Sequence, residues 1–151
     1  MTSSTLPQAL SYYFNERIEY VGGPVPKSEI FLAEKKLKTS FSKSYKKFLE
    51  KYGGELLNGY TINGLRKTIL MDIDLWSVVQ NTKFYKETQK WPGIEDWYII
   101  SDDGRGNPIG CKPDGSVWLS DHDAGFEQVK LADDFEQFLE KLLTDTLYDS
   151  S

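Results

Sequence analysis

Apolar residues recur at helical spacing through the first fifty positions and at strand spacing after position 91. Leu6, Leu10, Tyr13, Phe14, Ile18 and Val21 fall mostly three or four apart, which predicts a helix running to Gly22-Gly23. Pro24 and Pro26 hold the following residues extended. Ser28 is placed to cap a second helix, with Glu29 in its first turn and Ile30, Ala33 and Leu37 along its apolar stripe. Ser42 is placed to cap a third, in which Tyr45, Phe48, Leu49 and Tyr52 share one face and Gly53 supplies a left-handed stop. LLNGYTINGL, with two Asn-Gly pairs, reads as a short strand pair or an irregular loop. Asp74 is the expected start of a less tidy helix through Trp76, Val79 and Tyr85.

From Trp91 onward the runs shorten. WYII is a continuous apolar run that suits a strand buried on both faces. PIGCK and SVWLS alternate, joined by the turn residues Pro113, Asp114 and Gly115, and Glu127–Leu131 reads as another strand. Connections this short permit hairpins and not helical crossovers, so the sheet is expected to be antiparallel. Asp133 and Glu136 fit the cap and N3 positions of a final helix with Phe135, Phe138, Leu139 and Leu142 as its stripe. Together these elements predict one α+β domain, an antiparallel meander flanked by helices, with its core over about residues 6–145.

Charge adds an asymmetry. The net charge is −5, yet residues 1–90 carry 14 Lys/Arg against 9 Asp/Glu and residues 91–151 carry 4 against 14. Turn and helix-start positions account for many of the acids, among them Asp102, Asp103, Asp114, Asp133 and Asp134. An acidic half would attract a cationic partner and repel nucleic acid and anionic membranes. The lysines of the second and third helices read as a solvated face and not as a nucleic-acid patch, because the chain is acidic overall and sparing with arginine. Cys111 is the only cysteine, which suits a reducing compartment. MTSSTLPQALSYYFNERIEY has neither a basic n-region nor a long apolar core, so a cytoplasmic protein is expected.

Two polar stretches are candidates for chemistry. SDDGRGNPIGC lacks the spacing of a phosphate loop or of a helix–loop–helix calcium site. Its composition is that of a hairpin connection: glycines for positive φ, Asp and Asn for local backbone bonds, Pro108 at a strand start. In SDHDAGFE, His122 between Asp121 and Asp123 has the residue types of a general base with an orienting carboxylate. No nucleophile elbow accompanies it, and one histidine with one cysteine argues against the common His/Cys zinc sites. Asp102, Asp103, Asp121 and Asp123 would form a hard-cation site only if their loops converged. That alternative is a metal-dependent hydrolase; the preferred reading has no catalytic residue, no metal and no cofactor.

The order of segments resembles the SUKH superfamily of Smi/Knr-like proteins. GGPVPKSEIFLAEKKL, FSKSYKKFLEKYGGELLNG, WYIISDDGRGNPIGC, SVWLSDHD and LADDFEQFLEKLL carry the likeness over about residues 16–143. Ser42 departs from it, standing where the family usually has proline. The resemblance implies an α+β fold and, for many bacterial members, an immunity role in which the protein binds a cognate toxin, often a nuclease or deaminase, and blocks it without catalysis. Eukaryotic relatives act as regulators or scaffolds, which leaves a non-toxin scaffold as a further alternative. Combined with the charge split, the expectation is occlusion of the basic substrate groove of a cationic, nuclease-type toxin. Asp102, Asp103, Arg105, Asp121, His122 and Asp123 are the expected contacts, with no nucleic-acid or membrane partner.

Overall fold

Four antiparallel strands in sequence order form the spine of the computed structural model, which describes residues 6–69 and 76–148. They are β3 (Tyr98–Asp102), β4 (Pro108–Cys111), β5 (Val117–Asp121) and β6 (Glu127–Ala132). Helices α1 (Leu6–Asn15), α2 (Lys27–Leu37) and α3 (Lys43–Lys51) precede a small hairpin of β1 (Glu55–Leu57) and β2 (Tyr60–Ile62). Helix α4 (Val78–Lys83) leads toward β3, and α5 (Phe135–Leu143) follows β6. This is the single-domain α+β architecture, with an antiparallel meander, that the sequence predicts.

Strands β3 to β5 are covered on both faces over most of their length, and each face has its own apolar layer, while β6 is largely exposed before Leu131. Tyr98, Ile100, Ile109, Cys111, Val117 and Leu119 join the main core with α2, α3 and α5. Trp97 and Ile99 point the other way and pack with Tyr85 and Ile94, flanked by Phe84, Trp91 and Trp118. Alternation along β3 therefore sends neighbouring residues into two separate layers. Gly110 belongs to the second face: a Cβ there would lie 2.7 Å from Trp97 Cε3. The indole of Trp97 rests where any larger residue would stand.

Several expected boundaries move. Helix α1 stops at Asn15, not at Gly22, and a single 3-10 turn spans Ile18–Tyr20. Tertiary pairing overrides the helical spacing there. Val21 bridges Glu55, and the amides of Gly22 and Gly23 donate to Gly54 and Tyr52 carbonyls at 2.7 Å. Ser28 does not cap α2; Pro26 is already extended, and its carbonyl accepts from the amides of Glu29 and Ile30. Ser42 does cap α3, accepting from the Tyr45 amide, so the serine at this position leaves a regular helix start. Asp74 lies outside the described residues; α4 begins at Val78 under a full capping box of Ser77 and Gln80. At α5 the cap sits one residue later than expected, and the box is not closed on the cap residue itself. Asp134 accepts from the Gln137 amide, and the Gln137 side chain accepts from the Asp133 amide, because the chain is still leaving β6 at Asp133. The first Asn-Gly pair makes the β1–β2 turn, with both residues at positive φ. The second does not. Asn63 is buried and joins β2 to β3 through its amide, which donates to the Ile100 carbonyl at 2.7 Å.

Among the described residues, one acidic residue, Glu55, is buried in the core. Glu55 is fully buried, and neither carboxylate oxygen has a hydrogen-bond partner among the described residues. Burial, with no partner to offset it, pushes its carboxyl well above its ordinary value.

Candidate functional site

The two polar stretches become the β3–β4 and β5–β6 connections at one end of the meander, and a buried asparagine ties them together. In the first loop the Asp102 carboxylate accepts from the Gly104 amide at 2.7 Å, an Asx turn. Asp103 accepts from the amides of Arg105 (2.8 Å) and Asn107 (3.1 Å) and from Asn107 Nδ2 (2.7 Å). Its side chain is only 1% exposed, and Arg105 Nε lies 3.8 Å from it. Desolvation alone would raise the Asp103 carboxyl; the bonds from Asn107 and from the two amides outweigh it and hold the group below its ordinary value.

Asn107 then reaches across to the second loop. Its Oδ1 accepts from the His122 amide at 3.0 Å and from His122 Nδ1, while Nδ2 also lies 3.4 Å from Asp121 Oδ1. Asp121 caps the short 3-10 turn His122–Ala124, accepting from the Asp123 amide at 3.0 Å. His122 Nε2 lies 3.3 Å from Asp123 Oδ1. Both ring nitrogens of His122 thus face protein groups. Asp121, His122 and Asp123 bring one ligand atom each within 4.8 Å of one another, a set that could touch a cation. Asp102 and Asp103 do not join that set among the described residues, so the four aspartates form no common cation cluster there.

Of the six predicted contact residues, Asp102, Arg105, His122 and Asp123 are exposed and Asp121 is half-buried. Asp103 is enclosed and serves as the internal anchor of its loop. Cys111 is buried in the main core, where burial pushes its thiol up, so it is not a surface nucleophile.

Beside these loops lies a cavity of about 530 Å³ that the sequence reading did not anticipate. The helix α4 widens into a π turn at Phe84–Thr88, placing Phe84 and Tyr85 on one wall. Trp91 forms the floor side, with its indole N–H donating to Ser120 Oγ at 2.8 Å. His122 and Phe126 close the far side. Tyr85 also meets the first loop, its hydroxyl 3.4 Å from the Gly106 carbonyl. Burial, then the carboxylates of Asp102 and Asp103, push that phenol up to about 12. Tyr85 reads from sequence only as part of an untidy helix, and an Asn after Gly reads as a turn residue. The wide separation of Tyr85, Trp91 and Phe126 along the chain left no local pattern to find.

The chain is thus an α+β domain whose two cross-bonded loops stand beside a ring-lined cavity. The family model described as the SMI1 / KNR4 family (SUKH-1) matches residues 24–141, and the chain belongs to that family. The SUKH family is known for immunity proteins. No curated protein matches the chain. Among the described residues no helix is long and apolar enough to cross a membrane.

Proposed function

We propose that this protein is an immunity protein of the cytoplasm, which neutralises a cognate cationic toxin of the nuclease type by covering its substrate groove. The observation that carries the reading is the bridge made by Asn107. It fixes both loops against each other, so that Asp102, Arg105, Asp121, His122 and Asp123 stand on one preformed surface. Preorganisation of this kind lowers the ordering cost of association. Carboxylates at such a rim steer a basic partner and raise its on-rate. His122 is built into the loop pair, its Nδ1 against Asn107 Oδ1 and its Nε2 3.3 Å from Asp123 Oδ1, as a fixed part of this surface. Asp103, enclosed within its own turn, is fixed in the same way.

The test is association kinetics with a nuclease-type toxin that the protein is found to neutralise in a co-expression survival assay. Charge reversal at Asp121 and Asp123 should slow the on-rate roughly tenfold at low ionic strength and less in high salt. An on-rate that does not change at low salt refutes capture by this rim.

A further inference from the structure

Two Asn-Gly pairs sit five residues apart, and the fold treats them in opposite ways. Asn58 and Gly59 form the exposed tip of the β1–β2 hairpin, at φ +48 and φ +86. A Cβ built on Gly59 would meet nothing within 4 Å, so no neighbour crowds that residue. Asn63 is only 4% exposed, its amide donates to the Ile100 carbonyl at 2.7 Å, and its Nδ2 lies 3.3 Å from the Ile99 carbonyl. Gly64 is pressed against backbone: a Cβ there would stand 2.0 Å from the Gly53 carbonyl oxygen.

The Asn58 carboxamide has a partner far away in sequence. Its Nδ2 donates to the Leu142 carbonyl at 2.5 Å and lies 3.4 Å from that of Leu143. These are the last two carbonyls of α5, at the end where a helix leaves acceptors without intrahelical donors. The side chain thus ties the hairpin tip to the C-terminus of α5, and a donor there suits the negative pole of the helix.

We infer that Asn58 is a site of spontaneous self-modification, at which deamidation through a cyclic imide with Gly59 releases the end of α5. The Gly59 backbone nitrogen gives its proton to solvent base and attacks Asn58 Cγ. The new N–Cγ bond forms as the Cγ–Nδ2 bond breaks, and Nδ2 takes a proton from water and leaves as ammonia. A water molecule then opens the imide at either carbonyl, leaving aspartate or isoaspartate. Glycine favours the attack because no side chain shields its nitrogen. The carboxamide is engaged on α5 in the closed turn, so the reaction runs through local opening of the tip. The β1–β2 strands pair over only three residues each, and a segment of that kind opens at lower cost than the whole domain. Asn63, bonded to β3, opens only with the core. In the product a carboxylate stands where the donor stood. The bond to α5 is lost, and repulsion from its terminal carbonyls takes its place.

The test is made on the whole protein without a partner. Held folded in mildly alkaline buffer, the chain should gain one mass unit, with isoaspartate appearing in the tryptic peptide Tyr52–Arg66, which carries both pairs. Fragmentation of that peptide should place the change at Asn58, at least roughly tenfold faster than at Asn63. In the urea-unfolded chain the two pairs should convert alike. The rate should climb with pH, because the Gly59 amide must lose its proton. The converted chain, more acidic and separable by anion exchange, should unfold at a urea midpoint lower by roughly 0.5–1 M, and Asn58→Asp should reproduce that fall. A folded chain that stays unconverted while the unfolded chain converts overturns the site, as does conversion at Asn63 as fast as at Asn58. An unchanged midpoint in both the converted chain and Asn58→Asp overturns the release of α5.

Discussion

Replacing Asn107 by alanine tests whether one side chain holds the two loops together. Asn107 is fully buried, so water cannot substitute for what it loses. The substitution removes the 2.7 Å bond to the Asp103 carboxylate, the acceptor for the His122 amide at 3.0 Å, and the contact with His122 Nδ1. A hydrogen bond to a charged group contributes about 1.5–3 kcal/mol and a neutral one about 0.5–1.5, which puts the loss at roughly 2–4 kcal/mol. With a urea m-value of about 2 kcal/mol/M, the unfolding midpoint should fall by roughly 1–2 M with the slope unchanged. The carboxylate adds a second readout. Asp103 is held below its ordinary value of 3.8, so its contribution is present at higher pH and is lost as pH falls through the folded-state value. Asn107→Ala removes one cause of that depression. The gap in stability between wild type and variant should therefore be widest near neutrality and narrow below about pH 4. Asn107→Asp keeps the shape and sets a second carboxylate against Asp103, so it should be destabilised at pH 7 and recover on acidification. A midpoint shift under roughly 0.3 M, within the range of an ordinary surface substitution, would refute the bridge. So would a gap that is independent of pH.

Two further outcomes follow from the packing. Gly110→Ala places a methyl group 2.7 Å from Trp97 Cε3 and 3.1 Å from the Tyr98 carbonyl, with a cost of about 1–3 kcal/mol. Calorimetry should show a Tm lowered by roughly 3–10 °C, and an unchanged Tm would mean that the Trp97 layer yields freely. Glu55 has its folded-state value raised by burial, so stability is highest below its ordinary value of 4.5 and declines as pH rises through the folded-state value. Each unit of that rise costs up to about 1.36 kcal/mol, and Glu55→Gln should remove the decline, matching wild type near pH 4.5 and exceeding it at pH 8. Parallel pH profiles for the two proteins in denaturant titrations would show that Glu55 is ionised in the fold.

Local chemistry made much of the fold legible. Helices α3 and α5 carry strong apolar stripes, and the meander is punctuated by Pro113-Asp114-Gly115 and by DDGRGN, whose turn chemistry has few other uses. Errors fell where distant strands decided the outcome. Helical spacing continues past Asn15, but Val21 is worth more paired with Glu55 across the chain than in another helical turn. Turn chemistry alone identifies the loops and their acids, yet the part each acid plays depends on packing. Asp102 and Asp103 are adjacent and chemically identical; one caps a turn and stays exposed, while the other vanishes beneath Asn107 and Arg105. Nothing in a sequence of two aspartates distinguishes them.

The division of labour between Asn107 and Trp91 bears on how such a module can keep its fold while its target changes. Asn107 supplies only short, directional bonds to groups inside the two loops. Trp91 packs the outer layer of the sheet and anchors to Ser120. Neither needs the identity of Asp102, Arg105 or Asp123, whose side chains project outward. Substitution at Asp123 changes charge and shape at the rim at a stability cost within about 0.5 kcal/mol, whereas Asp102 also accepts from the Gly104 amide and Arg105 stands by the enclosed Asp103 carboxylate, so each costs somewhat more. The geometry that presents the rim is thus energetically insulated from the residues that would specify a partner. A binding surface built this way can be respecified at its exposed side chains, whereas Asn107 and Asp103 are tied to each other by hydrogen bonds and must be kept or replaced together.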